Sequence, residues 1–386
     1  MASMTSFHPG LPVASRDRLA HIGRARLAIL YGDPAAGDCL AVVEGWIERS
    51  WRRCLGHGQR PEQAPSFAAV AAAEVRRTLE ANRQLTEAAR PVLQKLGRAI
   101  ADTRYFAILT NQNGVVVDVN GPIDRRDRRA DVITRIGADL SERQIGTTAI
   151  GATLSELQPV WLHRGEHFFD ATSVYSCAGA PLFGPDGNCV GMLDLTGIET
   201  VERPELKHLV TQSAQSIENV LTLSRPHALL IRLNWPGRPL GGEADGLVCV
   251  DGNGCVTGAN QTARQLVPQL GLATSSAMHC RDLFAMPFEM LFDAARQGSR
   301  HESAMEVPLW TGLRLSALPL LQGQDRPQAS LHISRPAANS RPLKDLESEL
   351  IRKAVSDALG NVQQAAKALG VSRATVYRRL SPGKRR

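Results

Sequence analysis

Apolar residues recur at helical spacing in the first hundred residues. Between positions 67 and 100 they fall at Val75, Leu79, Leu85, Ala89, Val92, Leu93, Leu96 and Ile100, and this period predicts amphipathic helices. The first 16 residues lack such a pattern, so residues 1–16 are expected to be disordered. Residues 17–78 are predicted to form a helical N-terminal region that leads into the first domain.

From Tyr105 the pattern changes to short strands separated by turns. Two β-rich runs flank Asn113-Gly114, the dipeptide most typical of a tight hairpin. QPVWLH is predicted to be another strand, and the runs SCAGAPLF and NCVGMLDLTG flank a turn at residues 184–187. A helix over 205–223 closes the unit. Residues 79–223 are therefore predicted to be a mixed α/β domain.

A second α/β domain is predicted after a Pro- and Gly-rich linker at residues 224–238. The runs GLVCV and CVTGA flank the turn DGNG, and ANQTAR begins a helix. SAMEVPLW, LRLSALPL and ASLHISR are predicted to be its closing strands. The domain is assigned to residues 239–334, and residues 335–342 are a second linker.

The C-terminal end, residues 343–386, shows a third pattern. Helices are predicted over 343–359, 362–369 and 373–380, with Gly360-Asn361 between the first two, because Gly suits a helix C′ position and Asn an N-cap. Gly370-Val371 makes a tight turn, and Ser372 can cap the last helix. Two short helices around a Gly turn, the second rich in Arg, are typical of a helix-turn-helix. The fold class is thus α+β and multidomain, with a small all-α C-terminal domain.

Charge is concentrated in the same region. Residues 341–386 hold 11 of the 45 Lys and Arg residues and 4 of the 38 Asp and Glu residues, so they account for the whole net charge of +7. A neutral body with one basic end favours a polyanionic partner at that end.

The stretch GNVQQAAKALGVSRATVYRRL resembles the Fis-type helix-turn-helix. Arg373 is the candidate for a bidentate contact to guanine, and Tyr377 for a base or sugar contact. Lys384 adds attraction that does not depend on sequence. The remaining candidates, mostly for phosphate contacts, are Asn361, Gln363, Ser372, Thr375, Arg378 and Arg379. Because one such motif reads a half-site, a homodimer on near-palindromic double-stranded DNA is expected, with helix 343–359 as its seam. The structural alternative is a helical cap with a solvated basic face.

The first domain resembles the GAF domain of the acetoin-catabolism-type activators, which are bacterial enhancer-binding regulators. The resemblance begins at IERSWRRC (47–54) and continues through IGTTAIGATL, GEHFF, YSCAGAPLF and PDGNCVGMLDLTG. One departure is Thr148, where the family usually has Asn. The second domain resembles the start of a PAS domain, with Asn260 and Ala263 in an asparagine-x-x-alanine pattern.

The ATPase module of that family is not recognisable in the sequence. Such a module needs a GxxxxGK[ST] string to hold phosphates, and no such string occurs in the chain. The expected mode of action is therefore to occupy DNA, to recruit RNA polymerase or to modulate another regulator.

Several residues of the first domain are candidates for chemistry or ligand binding. The resemblance implies a mostly apolar pocket, for which the candidates are Thr148, Trp161, His163, Phe169, Tyr175, Cys177 and Met192; each can equally be a core residue. His163 and His167 lie four apart, but the strand-like context and the lack of a third ligand argue against metal. Cys177 and Cys189 can face each other across the hairpin as a redox pair, or be simple buried thiols. Asp194 is interpreted as a strand-end turn or pocket residue.

The sequence thus predicts a cytoplasmic, effector-controlled transcriptional regulator that is not an enzyme. No apolar run is long enough to span a membrane and no signal peptide is recognisable. No cofactor is expected. Two alternatives remain open: a signalling protein that holds haem or flavin, and a nucleoid-type protein that binds DNA without an effector.

Overall fold

The computed structural model describes residues 13–32, 43–67, 70–272, 278–297, 304–322 and 362–363. The described residues up to 322 belong to one compact unit. They contain two five-stranded sheets, and every strand pairing within these sheets is antiparallel. We refer to residues 13–223 as the first lobe and to residues 229–322 as the second lobe. The α+β class predicted from the sequence is confirmed.

The first lobe begins with four helices, followed by a sheet with inserted helices and a closing helix. The elements are α1 (Val13–Leu30), α2 (Gly45–Gly56), α3 (Ala72–Ala81), α4 (Arg83–Ala99), β1 (Tyr105–Asn111), β2 (Val116–Asn120), α5 (Arg128–Ile133), α6 (Glu142–Ile145), α7 (Ala149–Glu156), β3 (Val160–His163), β4 (Tyr175–Phe183), β5 (Cys189–Ile198) and α8 (Leu206–Leu223). The strand order is β2-β1-β5-β4-β3.

Both predicted hairpins are present. Gly114 turns β1 into β2 at a φ of +78°, and Gly187 turns β4 into β5 at +85°, a left-handed backbone that favours glycine. The N-terminal region differs from the prediction in two respects. Helix α1 begins at Val13, inside the segment expected to be disordered, and the helical pattern over 67–100 begins only at Ala72, where α3 starts, with α3 and α4 meeting at Asn82.

Alternation along the strands divides the first lobe into two cores. Leu193 and Leu195 of β5 pack with α4 and α8, on the side that we call the helix face. Met192 of β5 and Ile108 of β1 lie on the opposite side among residues of α2, α5, α6 and α7, and we call this side the cavity face. The cavity face carries the candidate site.

The second lobe corrects one predicted boundary. Its elements are β6 (Leu229–Asn234), β7 (Gly246–Val250), β8 (Val256–Ala259), α9 (Gln261–Leu266), α10 (Gln269–Leu272), α11 (Cys280–Leu283), α12 (Glu289–Gln297), β9 (Met305–Pro308) and β10 (Arg314–Leu321), with the strand order β8-β7-β6-β10-β9. The predicted linker 224–238 therefore contains the central strand, β6. Leu229, Ile231 and Leu233 fill the core of the lobe, while Leu230 packs on the other side of the sheet. The predicted strand ASLHISR lies outside the described residues.

Asn260 joins the two lobes. Its side-chain oxygen caps α9 by accepting from the Ala263 N–H at 2.8 Å, and it also accepts from the Leu247 N–H at 2.9 Å. Its amide nitrogen donates to Asn219 of α8 at 2.7 Å and to the Asp245 carbonyl at 2.9 Å. The asparagine seen in the sequence pattern is therefore a helix cap and an interlobe contact.

Replacing Asn260 with Ala is expected to lower the free energy of unfolding by about 3 kcal/mol, because buried backbone donors and the Asn219 side chain lose their partner. Urea titration followed by circular dichroism measures this loss. Asn253→Ala, at an exposed turn position, is the matched control and should change stability by less than about 0.5 kcal/mol. Equal stabilities of the two variants would contradict the assigned role.

Candidate functional site

A small cavity of about 30 Å³ lies on the cavity face of the first lobe. Its lining is mostly apolar with a few polar groups, as is typical of small-molecule sites. The lining residues are Phe67, Ile108, Ile133, Leu140, Ile145, Thr148, Ala149, Ile150, His167, Thr172, Tyr175, Cys177, Asp194 and Thr196. They come from β1, β4, β5, α5, α6, α7, the loops between them and, for Phe67, the loop before α3, so residues distant in sequence meet here.

Asp194 is the most unusual group in this lining. It lies in the middle of β5, opposite Ile108 of β1 and Gly179 of β4, and its side chain is fully buried. One carboxylate oxygen, Oδ2, accepts a hydrogen bond from the Thr196 hydroxyl. The other, Oδ1, has no hydrogen-bond partner among the described residues. Burial raises the pKa of Asp194 to about 7, because a carboxylate is poorly solvated there.

Cys177 and His167 form a neutral pair beside this carboxyl. The Cys177 Sγ atom lies 3.5 Å from His167 Nε2 and 3.3 Å from the Thr196 hydroxyl. His167 Nδ1 lies 2.9 Å from the Arg164 carbonyl, so this nitrogen carries the proton and Nε2 is an acceptor. Burial raises the pKa of Cys177 and lowers the pKa of His167 to about 4. The pair therefore lacks the thiolate character of a catalytic cysteine.

Thr148 and Tyr175 contribute two further polar groups to the lining. Thr148 is the N-cap of α7, and its hydroxyl accepts from the Gly151 N–H at 3.3 Å. Asn is also a favoured N-cap, so Thr at this position keeps a capping side chain. The Tyr175 hydroxyl donates to the Arg129 carbonyl at 3.0 Å, which holds its ring at the cavity edge.

Helix α2 fixes the elements that carry Thr148. Arg53 makes a bidentate pair with Glu142 of α6, at 2.7 and 2.9 Å. The Ser50 hydroxyl donates to the same carboxylate at 2.6 Å and lies 2.7 Å from the Thr147 hydroxyl. Thr147 immediately precedes Thr148. Residues of the sequence signature at 47–54 therefore hold α6 and Thr147 in place beside the cavity.

The structure brings three of the seven predicted pocket residues into the lining, namely Thr148, Tyr175 and Cys177. Phe169 and Met192 belong to the surrounding core of the cavity face. Trp161 packs in the core of the helix face, and His163 stacks on it with the ring centroids 6.3 Å apart. His163 Nδ1 lies 2.8 Å from the Ser176 hydroxyl, and burial lowers its pKa to about 3.

Two interpretations of the sequence change with these observations. Cys177 pairs with Thr196 in the strand register, whereas Cys189 pairs with Phe183, so the two cysteines do not face each other and the redox pair is wrong. Asp194 lies inside a strand rather than at its end, and it is a pocket residue. Its signal in the sequence was a carboxyl inside the apolar run MLDLTG. His167, Thr172 and Thr196 are lining residues that the sequence did not indicate.

Neither a metal cluster nor a membrane helix is found in the described part of the chain. No three His, Cys, Asp or Glu side chains there are placed to hold a metal ion. No helix among these residues combines the length and apolar character needed to cross a bilayer. Of the predicted DNA-contacting residues, only Gln363 is described, and it is helical and exposed. Asn361, Ser372, Arg373, Thr375, Tyr377, Arg378, Arg379 and Lys384 lie outside the described residues.

Comparison with known families finds a match in two parts of the chain. The model of the MimR N-terminal domain matches residues 41–219, which run from before α2 to within α8. The model of the Fis family of bacterial regulatory proteins matches residues 342–381. In sequence the chain is similar to acetoin-catabolism-type regulators. The resemblance of the C-terminal end to a Fis-type helix-turn-helix is thereby confirmed.

Individual relatives agree with this assignment. The acetoin catabolism regulatory protein of Cupriavidus necator is 29% identical over 315 residues, which are 76% of this chain and 45% of that protein. The acetoin dehydrogenase operon transcriptional activator AcoR of Bacillus subtilis is 28% identical over 45% of this chain and 29% of its own length. The propane 2-monooxygenase operon transcriptional activator MimR of Mycolicibacterium goodii is 29% identical over 36% of this chain and 24% of its own length. The chain thus spans less than half the length of these relatives.

Among solved structures, the Escherichia coli DhaR(N)–DhaL complex contains a similar chain. The sequence identity is 14% and the TM-score is 0.42, over 72% of this chain and 99% of that one.

Proposed function

We propose that the protein is a sequence-specific DNA-binding transcriptional regulator whose activity is set by a small molecule in the first lobe. The observation that carries the DNA-binding part is the Fis-family match over residues 342–381. The net charge of +7 resides in the same region of the chain, which favours a phosphate backbone as partner. The relatives are named as regulators and activators of catabolic operons. A cytoplasmic homodimer on a near-palindromic site, without enzymatic activity, fits this proposal.

The effector site in this proposal is the cavity beside Asp194, in a first lobe of GAF type. Its polar groups are a carboxyl with one oxygen that has no partner among the described residues, a neutral thiol–imidazole pair and four hydroxyl groups, on an apolar background. Among the described residues no Lys or Arg lines the cavity, so a small uncharged molecule suits it better than an anion. The cavity of about 30 Å³ has to widen for any organic molecule, and far more for haem or flavin, which need several hundred Å³, than for a small effector.

Helix α8 is suited to carry the signal onward. It covers the helix face of the first sheet, and its polar side contacts the second lobe, which we propose to be of PAS type. Gln215 donates to the Thr262 hydroxyl at 2.9 Å, and Asn219 accepts from Asn260 at 2.7 Å. An effector that shifts β5 would shift α8 and so bias the arrangement of two recognition helices in a dimer.

We also propose that the protein acts without its own ATPase. No GxxxxGK[ST] string occurs in the chain, so the sequence lacks the phosphate-binding loop that an ATPase module of this kind needs. Occupying DNA, recruiting RNA polymerase or modulating another regulator remain as modes of action.

Selection of DNA from a random pool tests the proposal directly. The full-length chain is expected to enrich an inverted repeat, and a chain ending at Ser340 should bind the enriched site at least about a thousandfold more weakly, the usual gap between specific and non-specific binding. Repeating the selection at higher salt separates specific from purely electrostatic binding. Enrichment by the truncated chain would overturn the assignment of DNA reading to residues 342–381. Binding by the full-length chain without any enrichment would favour a nucleoid-type protein.

A further inference from the structure

Helix α1 holds one wall of the cavity through a buried arginine. Arg26 is 9% exposed, and its guanidinium donates to four acceptors in the segment 164–170. It donates to the main-chain oxygens of Gly165 and Phe168, both at 3.0 Å, to that of His167, and to the Asp170 carboxylate at 2.6 Å. His167 is the residue whose ring lines the cavity and contacts Cys177. Arg26 therefore does not line the cavity itself but contacts His167, which does.

Two more residues of α1 continue this contact. Arg18, Ile22 and Arg26 are four positions apart, so they lie on one side of the helix. Arg18 pairs with Glu166 at 2.9 Å, and Ile22 is 1% exposed. A Cβ atom added at Gly165 would stand 3.2 Å from Ile22 Cγ2, so the glycine permits the close approach of the helix. Together these residues attach α1 to the segment 164–170 along two helical turns.

The segment 164–170 is held by fewer backbone hydrogen bonds than the strands that line the cavity. The cavity is also bounded by β1, β4 and β5, which are tied by continuous ladders of strand pairing. The segment itself consists of a 3₁₀ turn, Arg164–Glu166, a second 3₁₀ turn that begins at Asp170, and the loop between them. At about 30 Å³ the cavity has room for about two water molecules. An organic molecule therefore needs part of the lining to shift, and the segment 164–170 is one wall that can do so.

We propose that Arg26 is a positioning residue that sets how far the segment 164–170 can move, so that α1 acts as a clasp on the cavity. Helix α1 lies outside the residues that either family model matches, 41–219 and 342–381. The idea that the cavity holds an effector rests on the proposed function. The restraint of the wall by α1 does not, because it concerns the contacts of the protein alone.

Cys177 provides a probe of the wall that needs no effector. In the full-length chain, methyl methanethiosulfonate reacts with exposed thiols, and mass spectrometry of peptides gives the rate at each cysteine. Arg26→Met is expected to raise the labelling rate of Cys177 about tenfold or more, because several charge-assisted hydrogen bonds to the wall are lost. The rate at Cys249, buried in the second lobe, should not change. Arg24→Met, at an exposed position of the same helix, is the matched control and should match the wild type at both cysteines.

Hydrogen exchange of the amides in 164–170 gives an independent readout. Arg26→Met should speed this exchange and leave the peptides of β7 unchanged, and Arg18→Met should give a smaller change of the same kind. Unchanged labelling and exchange in Arg26→Met would overturn the proposal. So would equal increases in both lobes, since these indicate global destabilisation. If Arg26→Met does not fold, Arg18→Met and Arg26→Lys decide, with partial acceleration at Cys177 expected in each. A failed DNA selection would leave this outcome unaffected.

Discussion

Replacement of Asp194 with Asn is expected to raise the midpoint of thermal unfolding at about pH 8 by on the order of 10 °C. Burial raises the pKa of Asp194 to about 7 in the folded protein, whereas an unfolded chain has an Asp pKa of about 4. At a pH between these values the folded state binds a proton that the unfolded state does not. The contribution of Asp194 to the free energy of unfolding therefore falls as the pH rises from about 4 to about 7, and it is constant above that.

The size of this effect follows from the shift. A difference of about three pKa units corresponds to about 4 kcal/mol, which is an upper value. Asn has nearly the same shape and carries no proton equilibrium in this range. The Thr196 hydroxyl, which donates to the Asp194 carboxylate, can donate equally to an amide oxygen. The variant should therefore avoid the loss of stability that ionisation causes in the wild type.

Differential scanning calorimetry at about pH 4 to pH 8 measures this difference. The curves of wild type and Asp194→Asn should converge near pH 4 and diverge as the pH rises. Glu218, whose pKa burial also raises to about 7, leaves some pH dependence in both proteins. Asp102→Asn, at an exposed position, should follow the wild type throughout. A variant less stable than the wild type at about pH 8 would show that the Asp194 carboxylate is ionised and well stabilised in the fold.

Local signals were sufficient for most of the strands. The Asn113-Gly114 and PDG turns specified two hairpins because few residues other than glycine adopt the backbone they need. β6 was missed for the opposite reason. Its residues LLIRLN follow a proline and precede a Pro- and Gly-rich stretch, and an apolar run buried on both sides shows no alternation. Its central place depends on pairing with β7 and β10, which are distant contacts that its own sequence does not show.

The candidate site was predictable where the side chain fixed the role. Thr148 was a candidate because it departs from the family pattern, and Tyr175 and Cys177 share one parity of β4, so either both or neither face the cavity. β3 has apolar residues at both parities, so the sequence of this short strand could not show that Trp161 and His163 face α4 and α8 instead. Asp194 and His167 join the site through the sheet register and through a loop held by α1, which are tertiary contacts without a local signal.

The second large effect is expected at the DNA-reading end. In the Fis-type helix-turn-helix, Arg373 is placed at the start of the last predicted helix, where side chains meet base edges. A bidentate arginine–guanine contact contributes about 1–3 kcal/mol of discrimination, so Arg373→Ala is expected to bind the selected site roughly 5- to 150-fold more weakly. Its affinity for random DNA should fall much less. Fluorescence anisotropy on the selected site and on a scrambled duplex measures both constants.

Lys384→Ala is the control that separates recognition of the bases from electrostatic attraction to the phosphate backbone. Lys384 belongs to the basic end beyond the predicted helices, so its loss should weaken binding to both duplexes by a similar factor. The slope of log Kd against log salt should also fall by about one for this variant. Equal losses on specific and random DNA for Arg373→Ala would instead place this arginine on a phosphate. Sequence reading would then have to lie with Tyr377, and binding of Tyr377→Ala to the same two duplexes tests this.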